Sequence, residues 1–130
     1  MANWTKYMDE ADSYAKAAVG SYKKEKLGSL VVYNVLSMAV ENYLTALCVS
    51  TGELPEHSGI TAMLRQVGKK MEIPEEFLVE ARFLNRFMNF CSLEVLETLE
   101  PTREELSRML DFTNALKEYC NAALVEEESI

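Results

Sequence analysis

Apolar residues recur three and four positions apart along most of this chain, the period of helices with one buried face. Over residues 3 to 26, Trp4, Tyr7, Met8, Ala11, Tyr14, Ala15, Ala18 and Tyr22 form one stripe, with Lys, Asp and Glu opposite. The "LGS" at 27 to 29 breaks this helix and offers Ser29 as an N-cap; "STG" at 50 to 52 ends the next, with Gly52 placed for a left-handed C-cap. The second helix, about 29 to 51, is apolar on most sides, and its polar seam of Asn34, Ser37, Glu41, Thr45 and Cys48 spans an arc of about 80 degrees. That pattern predicts the central helix of a bundle.

After the loop "ELPEHSG", Ser58 caps a short helix of about 58 to 70 with Ile60, Met63, Leu64 and Val67 inward. Pro74 sits at a first-turn position with Glu75 and Glu76 behind it, so the fourth helix starts there and runs to about Cys91, or as far as Leu99. "PTREEL" carries the Thr102 and Glu105 spacing of a capping box and opens a last helix with Leu106, Met109, Leu110, Thr113, Leu116, Cys120 and Leu124 inward. The expected fold is all-α: an antiparallel up-and-down four-helix bundle with one additional short helix. It forms a single domain over 1–130, with a core of about 3–124 and a frayed tail at 125–130.

Composition adds little beyond solubility. The 130 residues fit one domain, with 48% hydrophobic and 26% charged residues and only 5 Gly and 3 Pro to interrupt helices. The net charge of −8 falls mostly on the second half, and an acidic surface argues against sequence-independent DNA binding. Cys48, Cys91 and Cys120 are widely spaced in apolar surroundings, which suits buried thiols in a reducing cytoplasm; no cofactor or metal spacing is present. The N-terminus has no apolar region of signal-peptide type, and the most apolar stretch, 30 to 49, is interrupted by Asn34, Ser37, Glu41 and Asn42, which argues against a membrane span.

Candidate chemistry gathers on the fourth helix, in "ARFLNRFMNF" at 81 to 90. One arc holds Arg82, Asn85, Arg86 and Asn89, so guanidinium forks and amides face the same way, which suits a phosphate. The bland alternative pairs these arginines with Glu75, Glu76 or Glu80 on a solvated face. Beside a first apolar stripe of Phe77, Ala81, Leu84, Met88 and Cys91 runs a second, Phe83, Phe87 and Phe90, surplus to a helix at the edge of a monomer. Either another part of the chain covers those rings or they form a homodimer interface. Glu41, midway along the apolar second helix, is costly to bury unpaired; Tyr14 or Tyr22, or else Arg82 or Arg86, would face it. His57 is the single imidazole of the chain, a loop residue that could contact a ligand.

The segment "AVENYLTALCVSTGELPEHSGITAMLRQV", 39 to 67, resembles the HEPN family (higher eukaryotes and prokaryotes nucleotide-binding), whose second helix carries an alanine, glutamate and leucine pattern followed by a glycine loop and a histidine. Ala39, Glu41, Leu44, Ala46, Leu47, Gly52, His57 and Leu64 fill those places. The resemblance implies an all-α bundle, a homodimer, and a bacterial or archaeal setting beside a small nucleotidyltransferase, in a toxin–antitoxin-like context. It also implies a nucleotide or RNA as ligand. Many members are metal-independent ribonucleases that use an arginine followed after four to six residues by a histidine. Counted from Arg86 that histidine would fall at Cys91, Ser92 or Leu93, and from Arg82 at Phe87, Met88 or Asn89; none is histidine. The expectation is a non-catalytic binding or regulatory module with no catalytic residue assigned. The alternatives are a ribonuclease toxin with a displaced site built from Arg82 or Arg86 with His57, and a protein-interaction bundle with no nucleotide role.

Overall fold

The computed structural model describes residues 4–24, 28–55, 59–87 and 100–128, the side chains up to Leu124. Five helices account for the regular structure there: α1 (Trp4–Lys24), α2 (Ser29–Ser50), α3 (Ile60–Gly68), α4 (Glu75–Asn85) and α5 (Arg103–Glu128). No strand occurs among the described residues.

Long-range contacts fix the direction of each helix. Tyr22 near the end of α1 meets Arg103 at the start of α5, and Asp12 meets both Tyr43 of α2 and Lys117 of α5, so α1 runs antiparallel to both. Phe77 packs on Phe112 and Tyr119, and Glu80 binds Arg108, so α4 opposes α5. The helices α1, α2, α4 and α5 therefore alternate up and down, with α3 as the short extra helix. The expected architecture is the one observed.

Helix boundaries follow local chemistry. Gly52 has φ 83, and behind it the Gly52 N–H donates to the Val49 carbonyl (2.9 Å) and the Glu53 N–H to the Cys48 carbonyl (3.1 Å). These two bonds satisfy carbonyls at the end of α2 that helix geometry leaves over. At the start of α5, Thr102 Oγ1 accepts from the Glu105 N–H (3.1 Å) and Glu105 Oε1 accepts from the Thr102 N–H (2.9 Å), the reciprocal box expected from "TREE".

Other ends differ from expectation. The N-cap of α2 is Gly28, with Ser29 already inside the helix, and α3 starts at Ile60 behind Gly59. Pro74 is the N-cap of α4 rather than its first helical residue. Helix α4 itself ends at Asn85, short of Cys91, and α5 continues to Glu128, past Leu124, because the acidic tail contains neither Gly nor Pro to stop it. Ser58 lies outside the described residues, as do residues 88–99, over which the longer fourth helix is expected.

Helix α2 is the hub, packed on α1, α3 and α5. Its buried residues include Leu36, Val40, Tyr43, Leu44 and Leu47. By length and composition α2 would pass as a membrane span, but 56% of that stretch is buried inside the bundle, the mark of a core helix, while Val31 and Met38 stay exposed. Removing each large side chain of this kind from water contributes about 1.5 to 3 kcal/mol.

Candidate functional site

Helix α4 is held against α2 and α3 by its C-terminal turn. The Tyr33 hydroxyl donates to the Leu84 carbonyl oxygen at 2.9 Å, and the Tyr33 ring lies 5.8 Å from that of Phe87. One residue on, the Asn85 amide donates to Thr61 Oγ1 in the first turn of α3. These bonds fix the rotation of α4 and hence where its arginine arc points.

The two arginines of the arc point outward, whereas Asn85 is half-buried against α3. Arg82 and Arg86 are exposed, and neither makes an ion pair among the described residues. The expected partners are elsewhere: Glu80 is bound by Arg108 through two bonds of 2.8 Å, from Nε and from one terminal nitrogen. Helix geometry explains the choice. One turn back from Arg82 are Leu78 and Val79, and one turn back from Arg86 are Arg82 and Phe83, so no carboxylate faces either arginine from its own helix.

The aromatic stripe is a correction. Phe83 is 8% and Phe87 2% exposed within the single chain, so neither ring is the wet surplus surface that suggested a dimer interface. Phe87 is closed in by Tyr33 and Phe83, while the Arg108 guanidinium lies 3.8 Å above the Phe83 ring and that of Arg86 5.8 Å from it. The coverage comes from α2 and α5, helices distant in sequence. Phe90 lies outside the described residues, as do Asn89 and His57.

Glu41 is a second correction. Its side chain is exposed rather than buried midway along α2, so it incurs no interior desolvation cost, and Tyr22 is engaged with the Arg103 carbonyl instead. Glu41, Asn42 and Thr45 line a recess of about 190 Å³ with Gly59 and Met63 from the start of α3. Its negative charge is felt at the end of α4. The Tyr33 hydroxyl is pushed from 10.0 up to about 12, mainly by burial, with the Ser37 hydroxyl pulling down and Glu41 adding a further upward push. Glu41, the Asn85 bond to Thr61, and the arginine arc thus border one corner where α2, α3 and α4 meet; the recess itself contains neither arginine.

Chemically, α4 offers two exposed guanidinium groups for a phosphate. Arginine stabilises anionic charge but does not accept a proton at neutral pH. Among the described residues no group of His, Cys, Asp and Glu is arranged to hold a metal ion.

A larger cavity went unnoticed in the sequence. It measures about 430 Å³ and lies between α1, α2 and α5. There the buried Tyr43 hydroxyl donates to Asp12 Oδ1 at 2.6 Å, and Lys117 Nζ stands 3.9 Å from the same oxygen. Burial first, and then the Asp12 hydrogen bond and charge, raise the Tyr43 pKa far above the ordinary tyrosine range. The only trace in the sequence is a polar interruption at helical spacing, Asp12 with Lys16 and Asn114 with Lys117, which by itself reads as a solvated face.

An up-and-down helical bundle with an exposed arginine pair on α4 is the class of molecule these features define. The HEPN domain model matches residues 4–123, and the chain belongs to the HEPN family. Among solved structures it is similar to the protein TT1696 from Thermus thermophilus, at 19% identity and a TM-score of 0.78, covering 94% of this chain and 98% of that one. It is also similar to an HEPN domain protein from Thermotoga maritima, at 18% identity and a TM-score of 0.68, covering 92% and 98%. At these identities the likeness establishes the fold. No curated protein matches the chain.

Proposed function

We propose that this chain is a non-catalytic HEPN-type binding module that takes the phosphate of a nucleotide or RNA strand on Arg82 and Arg86. One observation carries the reading. Two arginines one turn apart stand exposed, with no acidic partner among the described residues. Like charges at this spacing cost a helix about 0.2 to 0.5 kcal/mol, and an anion bridging them would turn that repulsion into attraction. Asn85, fixed by Thr61, holds this edge against α3.

The non-catalytic part rests on proton chemistry. Cleavage of RNA by its 2′-hydroxyl needs a group to take the hydroxyl proton; the single histidine, His57, does not follow either arginine at the family's spacing, and the recess that Glu41 lines contains neither arginine. In this reading the molecule acts in the cytoplasm as a homodimer beside a small nucleotidyltransferase, the setting the family resemblance suggests. With Phe83 and Phe87 buried, the homodimer has to use other surface.

Calorimetric titration with a short oligoribonucleotide tests the binding edge. Two neutralised phosphates give a slope of log K against log salt of about −1.4, and Arg82→Ala removes about half of it. Affinity unchanged in both Arg82→Ala and Arg86→Ala would refute the assignment.

A further inference from the structure

We propose that the cavity between α1, α2 and α5 is a second binding site, separate from the α4 edge, for a small organic monocarboxylate with an apolar body. Its volume of about 430 Å³ falls in the range of small-molecule sites. The cavity has a mixed lining. Ala15, Val19 and Leu110 give it an apolar wall, and Val19 is left 38% exposed, a hydrophobic surface that a ligand's hydrocarbon would cover. Interleaved with these on the same two helices are donors: Lys16, Lys117, Ser13 and Asn114.

Those donors are largely unspent. Lys16, Ser13 and Asn114 make no side-chain hydrogen bond or ion pair among the described residues. Lys117 is only loosely held, 3.9 Å from Asp12 Oδ1, while the Tyr43 hydroxyl already occupies that oxygen at 2.6 Å. Charge counting then selects the ligand. Asp12 balances one of the two lysines, which leaves one surplus positive charge in a protein whose net charge is −8. A carboxylate matches a single surplus charge. A phosphate monoester, at about −1.5 to −2 near neutral pH, would bring a second negative charge against Asp12.

The probe is octanoate, followed through the backbone amide shifts of Lys16, Val19, Asn114 and Lys117 in the full chain. Octanoate should move those amides saturably, while butyrate binds at least about tenfold more weakly for want of buried methylenes. Octanamide, of the same shape but uncharged, should also bind about tenfold more weakly. Lys16→Met, which keeps the stem at an exposed position, should weaken octanoate about threefold to fivefold. Ser13→Trp, also at an exposed position, should block the mouth and abolish the shifts, while Arg82→Ala leaves them unchanged. Failure of octanoate to shift these amides overturns the proposal. So does octanamide binding as tightly as octanoate, hexyl phosphate binding more tightly, or indifference to Lys16→Met.

Discussion

Tyr33→Phe removes one hydroxyl that ties α2 to the end of α4, and its effect should depend on pH in a way that simple loss of packing would not. The hydroxyl is buried and donates to the Leu84 carbonyl oxygen at 2.9 Å. That oxygen also accepts from the Phe87 N–H at 3.1 Å, so the variant leaves the Leu84 carbonyl with a partner and costs only about 0.5 to 1.5 kcal/mol near neutral pH. The wild-type hydroxyl titrates at about 12 in the folded chain against 10.0 when free. A raised pKa means that above pH 10 the unfolded chain loses this proton first. The contribution is therefore complete below pH 10 and disappears as pH rises through 12. At about pH 11 the wild type has lost about 1.4 kcal/mol that phenylalanine cannot lose. Urea denaturation should therefore show the variant less stable near pH 8 and about equal to wild type near pH 11, while Tyr43, present in both, cancels from the difference. A gap of the same size at both pH values would refute the reasoning.

Three further outcomes follow from packing and capping. Phe87→Glu places a charge where the wild-type ring is 2% exposed, so urea denaturation should show a loss of at least about 3 kcal/mol; a stable variant whose only change in light scattering is dissociation would mean the ring serves an interface instead. Thr102→Ala removes the acceptor for the Glu105 N–H at the start of α5 and should cost about 1 kcal/mol, read as a Tm drop of about 2 to 5 °C; an unchanged Tm would mean that box adds nothing. Cys48 and Cys120 are buried, and burial, with Asp12 adding to it, pushes the Cys120 thiol well above its ordinary range, so both should resist thiol reagents until the chain unfolds. Rapid native labelling of either would contradict the packing around α2 and α5.

What was legible in the sequence was local. Gly52 and the Thr102 with Glu105 pair act over two or three residues, and their bonds are those their spacing implies. The helical period was legible for the same reason, since one face of each helix records its burial. The fate of Phe83 and Phe87 was not, because the groups covering them, Tyr33 of α2 and Arg108 of α5, are brought there only by the bundle. Glu41 misleads in the opposite sense: a carboxylate in an apolar helix suggests burial, but the seam containing it is only partly covered, with Ser37 and Cys48 buried and Asn34 and Glu41 exposed. The pairing of Glu80 with Arg108 rather than an α4 arginine, and the cavity around Asp12, are likewise products of helix directions that no short window contains.

The central claim, that an arginine edge holds RNA phosphate without cutting it, is tested most directly with one end-labelled oligoribonucleotide. After incubation with wild type and with Arg82→Ala at low salt, each sample is read for retention on a filter and for length on a denaturing gel. The account predicts retention by wild type, reduced retention by the variant, and full-length RNA in both. Shortened RNA that appears with wild type and disappears with Arg82→Ala or Arg86→Ala would contradict it.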